Sequence, residues 1–163
     1  MHRLHVLTPL ALSHAALANL TPRADSSGRT GIINVSSVAG FEQSPSNVSY
    51  CATKAWLTSF TEGLAIELVV QASPVKVQAL CPGFTYSEFH DRIGMDRGPI
   101  PKQFWMTADF VVAESLRGFD RGQVVVVPGW RYKLMVAFIK AVPGPLMRRI
   151  SAAASRRYRK PSH

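Results

Sequence analysis

Asn34-Val35-Ser36-Ser37-Val38-Ala39-Gly40, followed by Tyr50-Cys51-Ala52-Thr53-Lys54, is the stretch on which the reading of this chain turns. The residues just before it, Gly31-Ile32-Ile33-Asn34-Val35, are short, β-branched and apolar behind a glycine, which predicts a buried strand. Ser36 to Ser46 is rich in small residues and contains Gly40 and Pro45, the chemistry of a loop. From Ser49 to Val70, Tyr50, Ala55, Leu57, Phe60, Leu64, Ala65, Leu68 and Val69 recur at helical spacing. Tyr50 and Lys54 therefore share one face of a long helix, one turn apart. Ser37 lies just past the C-terminal end of a strand.

Working outward, Leu4 to Leu20 reads as a helix, with Pro9 marking either a start near Thr8 or a kink. Thr21 to Gly31 is loop. After Pro74, Val75 to Cys81 predicts a second strand, stopped by Pro82-Gly83. Thr85 is the nearest hydroxyl placed to cap a short helix, and the segment to Gln103 is irregular. Thr107 caps a helix to about Phe119, Gly122 ends it, and Val124 to Val127 is a third strand. Arg131 to Val142 and Pro145 to about Arg159 read as two basic amphipathic helices separated by Pro143-Gly144-Pro145. This alternation predicts an α/β fold: a parallel, doubly wound, Rossmann-like sheet with flanking helices, plus basic C-terminal helices. About three strands are visible, so the sheet reads as partial. The division expected is 1–130, the C-terminal portion of such a domain, and 131–163, a basic helical tail.

With 163 residues, 47% of them hydrophobic, the chain is long enough for one domain with a core. The net charge of +9 is localised. Nine of the nineteen Lys and Arg lie between Arg131 and His163, where there is no Asp or Glu, leaving ten cations against ten acids before it. A nucleic-acid-binding fold would spread that charge over its working face, so no nucleic-acid partner is expected. The tail instead offers a peripheral contact with anionic lipid: Arg148, Arg149, Arg156, Arg157, Arg159 and Lys160 surround Leu146, Met147 and Ile150. A solvated helix covering a sheet edge is the alternative. No apolar run predicts a membrane span, and the start is a poor signal peptide, with Thr8, Pro9, Ser13 and His14 interrupting its apolar stretch. Cys51 and Cys81 read as buried thiols of a reducing, cytoplasmic setting.

The chemistry expected of the central stretch is proton transfer. A tyrosine hydroxyl titrates at about 10 in isolation, and a nearby ammonium favours the phenolate. Tyr50 beside Lys54 is thus expected to have a lowered pKa and to exchange a proton with an alcohol or carbonyl oxygen. Ser37 is placed to hold the same oxygen. A serine hydrolase using Ser37 with His90 and Asp91 lacks the Gly-x-Ser-x-Gly elbow. His14 and His90 have no partner at ligand spacing, so no metal is expected. Trp56, Trp105 and Trp130 read as core or loop-packing residues.

Asn34 to Gly40, Tyr50-x-x-x-Lys54 and the strand ending Cys81-Pro82-Gly83 together resemble the C-terminal half of the short-chain dehydrogenase/reductase family. The resemblance runs from Leu4 to Val127. It implies an oxidoreductase using NAD or NADP and a small carbonyl or alcohol substrate. Ser37 would orient the substrate oxygen, Tyr50 would be the acid/base, and Lys54 would also contact the nicotinamide ribose. Pro82, Gly83 and Phe84 resemble the loop beside the nicotinamide. Thr85 and Ser87 match positions that bind the carboxamide or pyrophosphate.

Two departures stand against it. No glycine-rich dinucleotide fingerprint is present, and the first four strands of such a domain have no counterpart, which implies a truncated chain whose activity alone is open. His5 also stands where the family carries a relay asparagine; it is expected to be a neutral, exposed residue near a chain end, with proton relay as the alternative. The other reading is a non-catalytic remnant serving as a membrane-surface or protein-binding module. A homo-oligomer stays open, and Phe89, Ile93, Met95, Phe104 and Trp105 point to a lipophilic substrate.

Overall fold

The computed structural model describes residues 1–23, 30–45, 47–88 and 100–158, with residue 23 and residues 154–158 described by their backbone only. The chain opens with a π-helical turn, Arg3–Leu7, that runs into helix α1, Thr8–Leu20. Pro9 explains the seam. It has no N–H to donate, so it suits the first turn of a regular helix and not its interior. The backbone N–H and hydroxyl of Thr8 both donate to the Arg3 carbonyl across the wide turn.

Strand β1 is Gly31–Val35, helix α2 is Val48–Val70, and strand β2 is Lys76–Leu80. Helix α3, Ala108–Asp120, begins on Thr107, whose hydroxyl accepts from Phe110 N at 3.3 Å. It ends at Gly122, where a φ of +70° suits glycine. Strand β3 is Val125–Val126, followed by helices α4, Trp130–Ala141, and α5, Gly144–Tyr158. Element types and order agree with the sequence reading, with ends displaced by a residue or two.

The sheet is parallel in the order β1-β2-β3, with Gly31 opposite Lys76, Val35 opposite Leu80, and Leu80 opposite Val126. Central β2 is covered on both faces, and its side chains alternate between them. Val77 joins Leu68 and Val75 in a cluster under α1 and α2, against Leu17, Leu20, Ile32 and Leu64. Leu80 faces the other way, with Val111 of α3, Val126, Ile33 and Met106. Gln78 also faces α3 and is fully buried, which is tolerable because it is paired. Its Nε2 donates to Ser115 O at 3.1 Å and its Oε1 accepts from the Ser115 hydroxyl at 2.6 Å.

Two expectations are corrected here. Thr85 is not placed as a helix cap. It forms an isolated parallel bridge with Met106, and its hydroxyl donates to Gly83 O at 3.0 Å. Trp130 is not a packing residue, being 62% exposed, whereas Trp105 is buried and Trp56 stacks on Phe60 at 5.0 Å. Phe89, His90, Asp91, Ile93 and Met95, like the Arg159 and Lys160 of the tail, lie outside the described residues.

Candidate active site

Three pieces of chain meet where β1 and β2 end. Val35 is the last residue of β1, and Ser37 follows in extended backbone, φ −166° and ψ 156°. Its hydroxyl accepts from Ala39 N at 3.1 Å and lies 3.5 Å from the carbonyl oxygen of Pro82, two residues past the end of β2. The first turns of α2 carry Tyr50 and Lys54 to the same place. Lys54 donates from Nζ to Val35 O at 2.9 Å, and that nitrogen is 5.7 Å from the centre of the Tyr50 ring. The neighbouring Ser37 hydroxyl acts to pull the phenol's pKa down.

Buried hydroxyls fix this meeting. Ser36 donates to the Lys54 carbonyl at 2.8 Å and lies 2.8 Å from Thr58 Oγ1. Thr58 bonds the same carbonyl at 3.1 Å. Asn34 donates to Thr61 one turn further along α2, at 3.0 Å. Asn34, Ser36, Thr58 and Thr61 are all buried, so each bond replaces water that cannot reach it. Gly40 completes the clamp: a β-carbon there would stand 2.9 Å from the backbone of Lys54 and Ala55. Strand and helix are thus held in register at the turn bearing Lys54.

The electrostatics differ from the sequence expectation. Burial raises the Tyr50 pKa, and the Ser37 hydroxyl only partly opposes it. Lys54 is turned to Val35 O, and burial lowers its own pKa, with Cys81 opposing. The sequence predicts a phenolate stabilised by Lys54; in the structure Tyr50 is half-buried and its pKa is shifted upward, the direction that favours the phenol. That state is a proton donor.

His5 is the second correction. It is half-buried, standing edge-on to the Tyr50 ring with centroids 5.8 Å apart. Its Nδ1 is 3.2 Å from Thr53 Oγ1, whose hydroxyl donates to Tyr50 O at 2.9 Å. That hydroxyl's single proton being spent, His5 donates from Nδ1. Burial, then the Lys54 charge, holds its pKa below the usual value, so it is neutral.

Of the loop residues, Pro82 adjoins Ser37 directly, Gly83 lies against the Tyr132 ring, and Thr85 turns its hydroxyl back to Gly83 O. Ser87 stands exposed near the end of the described loop. The sequence reading missed Tyr132, which lies in a helix read only as basic and amphipathic. It is buried, accepts from Phe84 N at 3.0 Å and donates to Phe104 O at 2.7 Å. Its ring lies on Gly83, where a β-carbon would come within 2.0 Å of it. Thus α4 braces the loop after β2, and Gly83 is required by that contact. Tyr132 also lines a cavity of about 360 Å³ with Trp105, Met106, Phe110, Trp130 and Arg131. Among the described residues no group of three His, Cys, Asp or Glu could hold a metal.

The sequence model of the short chain dehydrogenase family matches residues 3–98. The chain belongs to that family. The chain is 31% identical over 145 residues to an uncharacterized oxidoreductase of Myxococcus xanthus, covering 89% of its own length and 53% of the relative's. It is similar in structure to a 7beta-hydroxysteroid dehydrogenase, with a TM-score of 0.76 and 25% identity over 93% of this chain and 57% of that one. A short-chain dehydrogenase from Sphingobium yanoikuyae in complex with NADPH is similar at 31% identity and a TM-score of 0.55, over 78% of this chain and 51% of that one. The chain spans about half the length of these relatives.

Proposed function

We propose that this short-chain dehydrogenase sequence serves an NAD(P)-dependent oxidoreductase, with Ser37, Tyr50 and Lys54 as its catalytic trio. The observation that carries the reading is the meeting of Ser37, at the end of β1, with Tyr50 and Lys54 on the first turns of α2, where Lys54 Nζ is held to Val35 O at 2.9 Å and lies 5.7 Å from the centre of the Tyr50 ring. The nicotinamide, when bound, supplies or accepts the hydride. The residues supply the rest. Ser37 holds the substrate oxygen, and Tyr50 gives it a proton in reduction or takes one in oxidation. Lys54 holds Tyr50's turn of α2 against β1 and has further N–H donors for a ribose hydroxyl. Pro82, Gly83, Phe84, Thr85 and Ser87 form the nicotinamide-side wall. Gly83's missing β-carbon and the Tyr132 brace hold the start of that wall flat.

These residues fit the nicotinamide end of the cofactor. The phosphate end needs a glycine-rich turn opening a helix, which the 163 residues do not contain. The reading is therefore of a trio that works with such a segment, and the NADPH complex of the Sphingobium relative supports NAD or NADP as the cofactor. The aromatic group of Phe84, Tyr86 and Trp105, with ring centres 4.9–5.5 Å apart, suits a lipophilic carbonyl or alcohol. Both cysteines are buried and free, which suits a reducing compartment.

The test is carbonyl reduction followed by NADPH absorbance, using this chain joined to a glycine-rich βαβ segment of a relative. Tyr50→Phe should abolish turnover and spare cofactor binding. Substantial residual turnover would reject Tyr50 as the acid.

A further inference from the structure

Helix α4 is apolar on the side turned away from the protein. Trp130, Leu134 and Phe138 are 62%, 61% and 57% exposed, and their spacing of four puts them on one face. The other side holds the helix in place through buried Tyr132 and Val136. Arg131 borders the apolar stripe, its guanidinium 4.7 Å over the Trp130 ring, while the exposed Lys133 and Lys140 also reach the protein, at Glu114 Oε2 (3.5 Å) and over the Phe41 ring (5.0 Å). Helix α5 repeats the pattern with Leu146 and Ile150, 50% and 41% exposed, beside exposed Arg148 and Arg149. Its inner side is tied down by Ser151, whose hydroxyl bonds the Glu42 carboxylate.

Exposed apolar residues also occur on α1, at Leu10 and Leu12, and at the end of α2, at Ile66, Val69 and Val70; α4 and α5 differ in setting theirs beside exposed arginines. We propose that α4 and α5 form a docking face for an anionic membrane surface. Trp130, Leu134, Phe138, Leu146 and Ile150 enter the boundary between headgroups and acyl chains, and the flanking Lys and Arg meet anionic headgroups. Charge complementarity selects this occupant. Arg131, Arg148 and Arg149 are exposed beside the stripes, and residues 131–163 contain no acid, so a second copy laid on the same face would set like charges against each other. An anionic bilayer offers apolar depth and negative charge together. No described helix is long and apolar enough to cross a membrane, so the contact is with its surface. Trp130 and Arg131 also line the cavity, so docking sets that wall against lipid. The proposal stands independently of the oxidoreductase reading.

The test is co-sedimentation of the whole 163-residue chain with vesicles of phosphatidylcholine, with and without phosphatidylserine. Pelleting is expected with the phosphatidylserine vesicles, much less with phosphatidylcholine alone, and it should weaken in high salt. Leu134→Glu with Phe138→Glu should weaken partition at least tenfold. Arg148→Ala and Arg149→Ala should each weaken it about fivefold. Brominated lipid should quench the tryptophan fluorescence of the unmodified chain, a readout that does not depend on a variant folding. Equal pelleting with both vesicle types, or unchanged pelleting of the Leu134/Phe138 variant, would overturn the proposal. So would self-association of the unmodified chain, abolished by that variant, without vesicle binding.

Discussion

The first turns of α2 and the length of α4 are both helices of mixed character, and they spend their side chains in opposite ways. Around α2 it is polar groups that are buried: Asn34, Ser36, Thr58 and Thr61 are shielded from water and paired with one another or with the α2 backbone. Along α4 apolar groups are exposed, with Trp130, Leu134 and Phe138 facing solvent. Neither arrangement is what burial alone would select. A buried polar network fixes geometry, because each member has few alternatives that keep its hydrogen bonds. An exposed apolar stripe fixes nothing inside the protein and is available to something outside it. The first suits the proposed chemistry and the second the proposed contact.

The sharpest way to break this contrast is at Tyr50, the proposed proton donor. Tyr50→Phe removes a hydroxyl and leaves the ring, so turnover should fall between about 100-fold and 10,000-fold. Cofactor affinity, measured by equilibrium titration, should change little. Next come the apolar residues themselves. Leu68 is 5% exposed between α2 and the sheet, and Leu68→Ala should cost about 2–5 kcal/mol in urea unfolding. Leu134→Ser on the open face of α4 should change the same measurement by less than about 0.5 kcal/mol. Similar losses from both would mean that α4's stripe is covered after all. Between these lies Gly83→Ala, which drives a β-carbon into the Tyr132 ring. It should cost about 1–3 kcal/mol through overpacking, and a neutral result would show that α4 does not brace the loop.

The smallest effect concerns His5. Its folded pKa is lowered by burial and by Lys54, so as pH falls the unfolded chain takes up the proton first. Stability should therefore drop as pH falls from about 6.5 through the folded pKa. His5→Asn should flatten that slope in thermal melts taken from pH 7 down to pH 5. An unchanged slope would place the titration elsewhere.

Much of the scaffold was legible because its signals are local. Gly31 to Val35 and Val75 to Cys81 are apolar runs bounded by breakers, Thr107 is a cap followed by helical periodicity, and Pro9 marks the seam between Arg3–Leu7 and Thr8–Leu20. Of the candidate site, Ser37, Tyr50 and Lys54 were legible as a pattern, and the structure brings them together. Thr85 misled because a hydroxyl before an irregular segment has the look of a cap; here its strand-like pairing with Met106 uses the backbone first.

The sequence by itself determined the order of strands and helices, the shared face of Tyr50 and Lys54, and the concentration of positive charge after Trp130. All of these follow from spacing along the chain, which periodicity and counting capture. The tertiary structure alone decided that burial raises the Tyr50 pKa, that His5 leans on its ring, that Tyr132 braces Gly83, and that Trp130 faces outward. Each depends on how much water reaches a group and on which distant residue occupies the space beside it. Tyr132 and Gly83, for example, are far apart in sequence and in contact only because α4 folds back across the end of the sheet.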